Sequence, residues 1–480
     1  MASVFENLKP GLLWEHFDAI RKIPRCSKAE GPAGDYVISV AEKNGLKFKR
    51  DDTGNVMVEV PASPGHENAP VVVLQGHLDM VCEKNSDVTF DFSKDPIDVK
   101  IDGEWVTANG TTLGADNGIG LAAALALIGD QSVEHGPLEL LFTTDEETGL
   151  NGANGLQPDF LKGRILLNLD SEEEGAFSIG CAGGGDSDIR LPIKRKGSDS
   201  GSELKVMLSG LRGGHSGIDI HTGRGNAIQL LARILYNLDA EFDLVLLEGG
   251  SKHNAIPREA FAHVCAADEA GFKKAVQKRF EEVQFEYKAV EKDMKLQIDT
   301  APQKGPAPME DASKAAFLGL LFGLPHGVMA MSQEIKGLVE TSNNLAIVKV
   351  KDNEAAVYTS TRSSIQSALD AVRVKIEAIA ALAGAEIKHL DGYPPWTPNL
   401  DSGLLKTMQK VYKNLYGKDP RVEAIHAGLE CGIIGEKYSG MDMISFGPDL
   451  ENPHSPDERV HIESVGRFWD LLAATLKELT

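Results

Sequence analysis

Apolar and polar positions along the chain fall into two textures. From the N-terminus to about residue 186, short runs of purely apolar residues alternate with helical spacings. Val71 to Leu74, Leu138 to Thr143 and Ile165 to Leu169 read as strands buried on both faces, the kind found inside parallel sheets. Leu8 to Ile23 has apolar residues at helical spacing and stops at Pro24; a second helix is expected over Gly34 to Asn44, ended by Gly45. Leu46 to Arg50 and Val56 to Val60 read as two strands joined by the turn D-D-T-G-N. From Asp79 to Gly110 no period holds, which predicts loop and short strands. The alanine- and leucine-rich run after Asp116 is a strong helix former.

Beyond Gly183-Gly184-Gly185 the strands alternate instead, as in S-E-L-K-V-M-L-S, which predicts a sheet with one solvated face. Amphipathic helices are expected at Asn226 to Leu238 and Ser364 to Leu382. A charged run at Gly271 to Lys295 and a proline-rich turn at Pro302 to Pro308 suggest a division into two subdomains. Near Tyr393-Pro394-Pro395-Trp396 the first texture returns, with a helix at Leu404 to Tyr416, a strand at Met443 to Phe446 and a closing helix at Ile462 to Leu479. The expectation is an α/β, mostly parallel-sheet catalytic domain (residues 1–186 and 394–480) carrying an inserted α+β lid domain (187–393).

Length supports this division: 480 residues are too many for one ordinary core. The balance of 49 Lys and Arg against 71 Asp and Glu, net −22, excludes a nucleic-acid partner, because no basic surplus exists to neutralise phosphates. The 5 cysteines are scattered and contain no C-x-x-C pair, so neither a disulfide framework nor a thiolate zinc site is expected. No apolar stretch approaches the roughly 20 residues needed to span a bilayer. The first residues lack a basic head followed by an apolar run, so the cytoplasm is the expected compartment.

The apolar strands share a feature that composition does not reveal: each delivers ionisable groups just past its end. The first is followed by His77 and Asp79, the second by Asp145, Glu146 and Glu147, the third by Asp170, and the strand near Met443 leads towards His454; Asp116 stands where the alanine-rich helix begins. In open α/β sheets, working groups sit beyond the carboxyl ends of the strands. Taken singly, each has an ordinary explanation, such as a helix cap for Asp116 or a solvated turn for the three adjacent acids. Together they form a nitrogen and oxygen donor set without thiolates, which suits zinc, manganese or cobalt in a hydrolytic site. So many acids need more than one ion to balance them, and two ions ~3.5–4 Å apart with a shared carboxylate fit the count. Two acids should then stand outside the ligand set. Asp79 is suited to orient the His77 ring. Glu146 or Glu147 would act as base, and spacing does not decide between them.

The motifs H-L-D (77–79), G-A-D-N-G (114–118), D-E-E-T-G (145–149), L-D-S-E-E (169–173) and P-H-S-P-D-E (453–458) resemble those of the co-catalytic zinc peptidases, which include carnosinases, aminoacylases and glutamate carboxypeptidases. The resemblance runs from end to end. G-C-A-G-G, G-G-H-S-G, N-A-I-P-R-E and H-A-G-L-E-C-G are closest to the dipeptidase branch that cleaves Xaa-His and other dipeptides. It implies that His77 and Asp170 bind one ion, Glu147 and His454 the other, and that Asp116 bridges them. It also implies Asp79 as the orienting acid, Glu146 as general base for attack by metal-activated hydroxide, and a cis peptide bond between Asp116 and Asn117. On the lid it implies His215 as the group that polarises the scissile carbonyl, with Asn254, Arg362 and Gly428 binding substrate. A homodimer follows from the same resemblance. An N-acyl-amino-acid amidohydrolase on the same scaffold, or a binding protein without catalysis, are the alternative readings.

Overall fold

The computed structural model describes residues 4–197, 202–301 and 305–480, so the first residues of the proline-rich turn, 302–304, lie outside the described residues. The chain forms two compact units: residues 1–181, 396–425 and 429–480 make unit 1, and residues 182–395 with 426–428 make unit 2.

Unit 1 is organised on an eight-stranded sheet in the order Lys47–Arg50, Val56–Val60, Leu138–Thr143, Val72–His77, Ile165–Asn168, Asp442–Ser445, Ala176–Cys181, Arg421–Ile425. The central strand, Val72–His77, runs parallel to both its neighbours, in register Val72 with Leu138 and Gln75 with Asn168. Asp442–Ser445 runs parallel to Ile165–Asn168 in turn. Four strands therefore end on the same side of the sheet. The interior strands read as apolar runs because both faces are covered: Val73, Leu74, Leu140, Leu141, Leu166 and Leu167 are fully buried. Cutting one of these leucines to alanine would cost about 2–5 kcal/mol through lost transfer energy and the cavity left behind.

The helix Ala115–Gly129 is buried almost all round, as its alanine- and leucine-rich sequence demands, and packs between the helix Gly11–Ile20 and the central strand. The second helix, Gly31–Lys43, begins three residues ahead of the expected Gly34, because Pro32 is accommodated in its first turn. The irregular segment 79–110 contains a short hairpin, Val99–Asp102 with Trp105–Ala108.

The expectation of no disulfide is corrected: Cys26 and Cys82 are bonded, across a sequence separation of 56. A parallel bridge between Cys26 and Met80 brings the two segments together. Such a pairing is set by tertiary approach and leaves no mark in local spacing.

Unit 2 is built on a nine-stranded sheet whose pairings are all antiparallel, with Val339–Lys351 and Glu354–Ser363 at its centre. Ala260–Ala266 alternates strictly between buried and half-buried positions, the pattern of a sheet with one wet face. The helices Ala227–Leu235 and Gln366–Leu382 fall within their expected spans, and the Asn226 side chain caps the first by accepting from Ile228 N and Gln229 N. Most of the unit shares the nine-stranded sheet and one large hydrophobic cluster, and the charged helix Glu269–Tyr287 buries Phe272, Val276, Phe280 and Val283 in that cluster. Among the described residues, no helix is long and apolar enough to cross a membrane.

Candidate active site

Seven ionisable residues converge beyond the strand ends of unit 1. His77 is the last residue of the central strand and is 1% exposed. Its Nδ1 lies 3.2 Å from Asp79 Oδ1, and its Nε2 lies 3.0 Å from Asp116 Oδ1 and 3.3 Å from Asp170 Oδ1. Asp116 Oδ2 lies 3.0 Å from His454 Nε2, which is also 3.0 Å from Glu147 Oε2. The two oxygens of Asp116 thus face two different imidazoles. The ligand atoms of His77, Asp116 and Asp170 lie within 4.8 Å of one another, as do those of Asp116, Glu147 and His454, and those of His77, Glu146 and Glu147.

Local backbone explains how these groups are presented. Asp116 stands in the first turn of the alanine-rich helix with extended backbone (φ −80°, ψ 114°), and the bond between Asp116 and Asn117 is cis. Asn117 turns its side-chain amide to Leu169 O at 2.7 Å, which ties the Asp116 turn to the strand that delivers Asp170. Asp145 and His454 hold left-handed backbone (φ 48° and 60°), a conformation that costs a non-glycine residue about 1–3 kcal/mol and is concentrated at functional sites. Asp145 itself does not join the cluster. Its carboxylate accepts from Thr148 Oγ1 and Asn151 Nδ2, both at 2.6 Å, and so braces the turn that presents Glu146 and Glu147.

Asp79 is fully buried and well supplied with donors: Ser27 Oγ at 2.8 Å and the backbone N–H groups of Glu146 at 3.0 Å and Glu147 at 3.2 Å. Burial works against its ionisation, yet His77 and these donors hold its carboxyl down at about 2. Asp79 is therefore ionised and placed to accept from His77 Nδ1. Glu146 is the opposite case. Burial lifts it well above the ordinary carboxylate range against the pull of His77, and the neighbouring Asp170, Glu430 and Glu147 add to the rise. Burial also raises Asp170 to about 6 and Glu172 to about 8, with Asp116 adding to both.

The electrostatics bear on what the cluster could hold. Burial opposes protonation of His77, but Asp170, Asp116 and Asp79 more than offset it and lift its pKa well above the ordinary value. Contacts with Asp116 and Glu147 raise His454 to about 11. An acid cluster that draws protons onto both of its imidazoles is short of positive charge. Glu147 Oε1 is buried without a hydrogen-bond donor, as a ligand oxygen would be. The nitrogen and oxygen donors, their convergence and this orphaned oxygen all fit divalent metal ions.

Three further buried residues surround the cluster, and sequence patterns did not single them out. Glu430 accepts from Gln75 Nε2 and Thr143 Oγ1, both at 2.6 Å, tying together the ends of two strands. Glu458 accepts from four consecutive backbone N–H groups, Leu113 to Asp116. Arg25 donates to the carbonyls of Leu78, Asp79 and Gly114. Glu430 and Glu458 lie inside motifs of the kind quoted above, but an acid next to a ligand motif carries no sign of its role. For Arg25 no signal was available.

The remaining predicted residues lie in unit 2. His215 pairs with Ala255 in a short antiparallel ladder, and Ser216 N donates to Asn254 O at 2.9 Å, so His215 and Asn254 share one local structure. His215 Nδ1 accepts from the backbone N–H groups of Gly217 and Ile218, both at 3.2 Å, which leaves Nε2 as the N–H donor. Burial, helped by the Arg362 charge, lowers its pKa and keeps the ring neutral. Arg362 is 8% exposed and donates Nη1 to Tyr393 Oη at 2.7 Å. Gly428 lies against the same ring: a Cβ there would come within 2.7 Å of the Tyr393 Cε2 atom.

A protein of Escherichia coli K12, the cytosol non-specific dipeptidase, is 45% identical over 482 residues, covering 99% of each chain. The crystal structure of an aminoacylhistidine dipeptidase from Vibrio alginolyticus superposes with a TM-score of 0.91 at 44% identity, covering 99% of this chain and 98% of that one. An aminopeptidase structure from Bacillus cereus shares the fold at 15% identity (TM-score 0.58, covering 98% of this chain and 99% of that one). Residues 73–478 match the profile of peptidase family M20/M25/M40, and the chain belongs to that family.

Proposed function

We propose that the protein is a dipeptidase that works with two divalent metal ions and hydrolyses Xaa-His and other dipeptides. The observation that carries this reading is Asp116, whose two carboxylate oxygens each lie 3.0 Å from a different histidine. A single acid between two ligand groups is the arrangement a two-metal centre needs. His77 and Asp170 would hold one ion and Glu147 and His454 the other, with Asp116 shared. Zinc suits this donor set best, and manganese or cobalt could replace it. Ions held there would polarise a peptide carbonyl and lower the pKa of a bound water.

The protein's own groups do the rest. Asp79 fixes the His77 ring through Nδ1. Glu146, whose buried carboxyl holds a proton unusually well, receives the proton at its carboxylate as the nucleophile attacks and delivers it to the leaving amine. His215, neutral with its proton on Nε2, donates that N–H to the carbonyl oxygen as negative charge develops. Arg362 offers a planar fork to the C-terminal carboxylate, with Asn254 and the backbone at Gly428 completing the substrate contacts. In this reading unit 1 is the catalytic domain and unit 2 the lid.

The names of the two close relatives support dipeptides as the substrate class, and that of the Vibrio alginolyticus protein supports histidine at the C-terminal position. The E. coli name also supports a cytoplasmic location. There the Cys26–Cys82 pair would stand as two thiols, because reducing compartments open such bonds; thiol titration of freshly isolated protein reads this directly.

The deciding experiment compares hydrolysis of β-Ala-His, Gly-His, Leu-Gly, a tripeptide and an N-acetyl amino acid. Chelator-stripped protein is set beside protein reloaded with zinc, manganese or cobalt, with Glu146→Ala as control. Metal-dependent cleavage of the dipeptides alone, lost in the variant, is the expected result. Cleavage of the acetylated substrate alone would make the protein an amidohydrolase, and no cleavage under any metal would leave a binding role.

A further inference from the structure

Arg25 and Glu458 are both 2% exposed, and each satisfies backbone groups of loops that carry the clustered residues. Glu458 accepts at Oε2 from Leu113 N (2.7 Å) and Gly114 N (2.9 Å), and at Oε1 from Ala115 N (2.8 Å) and Asp116 N (3.2 Å). Four successive N–H groups turned towards one point form a cradle for an anion, and here the chain fills it with its own carboxylate. The direction of the Asp116 side chain depends on this turn. Glu458 also lies four residues after His454 on the same loop, and its own N–H returns to Ser455 O at 3.0 Å.

Arg25 approaches the same turn with the opposite charge. Its Nη1 donates to Leu78 O (3.1 Å) and Asp79 O (2.6 Å), and its Nη2 donates to Gly114 O. Its carbonyl accepts from Met80 N at 3.0 Å. Gly114 has left-handed backbone (φ 71°), and a Cβ there would meet Arg25 Nη2 at 2.6 Å and Met80 Sδ at 2.8 Å, so the approach requires glycine. Together the two side chains link three segments: 77–80, which carries His77 and Asp79; 113–116, which carries Asp116; and 454–458, which carries His454.

We propose that Arg25 and Glu458 are positioning residues that hold Asp116 between His77 and His454, so that the two metal ions are bound as a pair. This rests on the two-metal reading above. Neither residue touches substrate or metal; each acts through the backbone of the loops it joins.

The test measures divalent-ion binding and kinetics on the full chain. Zinc affinity and stoichiometry of stripped protein are obtained by competition with a chromophoric chelator, and kcat and KM are read on a dipeptide at saturating zinc. Circular dichroism and thermal melting report the fold. Native protein is expected to bind two ions. Glu458→Gln keeps the size of the side chain but points an NH2 group at two N–H donors. It is expected to keep the fold, to weaken the second ion by ~10–100-fold, the range for groups that orient metal ligands, and to lower kcat while KM stays within about threefold. Arg25→Met should act in the same sense, and Arg25→Lys, which keeps a donor and the charge, should recover part of the loss. If Glu458→Gln does not fold, the comparison of Arg25→Lys with Arg25→Met decides. Variants that melt earlier but bind two ions with native affinity and turn over at the native kcat would overturn the proposal. Native protein that takes up no second ion would refute the two-metal reading itself, a failure visible before any variant is made.

Discussion

The cluster in unit 1 has two halves of different construction. The His77 half is set on strand ends and sealed: His77 is 1% exposed, and both ring nitrogens have carboxylate partners. Behind it, Asp79 is held in turn by a hydroxyl and two backbone N–H groups. The His454 half is set on a loop. The His454 side chain is 50% exposed, and only its Nε2 faces acids, Asp116 and Glu147. One half is held by layers of support, and the other is half exposed. Asp116 faces both imidazoles, so if the proposed ions bind there, the difference should set the order in which they load and leave.

The strongest way to erase the distinction is Asp116→Asn. It removes the shared charge, and both ions should be lost together, with activity falling below detection in a metal-reconstituted assay. Glu146→Gln should spare both ions and lower kcat by ~10²–10⁴, the usual contribution of a general base; a parallel loss of bound metal would show that Glu146 is a ligand instead. Asp79→Asn tests the layered half alone, and a loss of ~10–100-fold in metal affinity at that half is expected from the loosened His77 ring. Stepwise chelation should then show two phases, with the exposed His454 half emptying first; a single phase would mean that the halves exchange as one.

The smallest effect is on pH. The neighbouring acids raise the pKa values of both histidines, His454 to about 11, which favours protons on them when no ion is bound. An ion must displace those protons, so loading should release them, and affinity should fall as pH falls, by about tenfold per pH unit for each proton displaced. Titration calorimetry in buffers of different ionisation enthalpy counts them. In unit 2 the sign concerns stability. Burial lowers His426 to about 3, so unfolded chain takes up a proton below about pH 6.5 while folded chain does not. Its contribution is complete above that pH and is lost as pH falls towards 3, with a slope of up to about 1.4 kcal/mol per pH unit; acid-unfolding midpoints of native protein and His426→Gln should differ accordingly.

Much of this architecture could be read from residue patterns, and the reasons are specific. Val72–His77, Leu138–Thr143 and Ile165–Asn168 are covered on both faces, so their apolar runs could hardly mean anything else. The ionisable residues after them stood out because parallel strands deliver their ends to one side. Asp116 was legible only as a helix-start acid, and Glu146 and Glu147 could not be told apart by spacing. Their surroundings differ in ways that no spacing reports: Glu147 meets His454, while Glu146 has a carboxyl lifted by burial. Arg25, the role of Glu458 and the Cys26–Cys82 bond were illegible for a common reason. Their partners are backbone atoms or a thiol far along the chain, 345 residues away for Glu458 and Leu113, and such partners leave no period or motif.

The way the chain is divided has a consequence for its synthesis. Unit 1 is built from the beginning and the end of the chain, with the whole of unit 2 made in between. His77, Asp116, Glu147 and Asp170 all precede unit 2 in the chain, and His454 follows it. If the proposed ligand set holds, the site is complete only after the whole of unit 2 has been made, and a chain cut within unit 2 should bind metal weakly and lack peptidase activity.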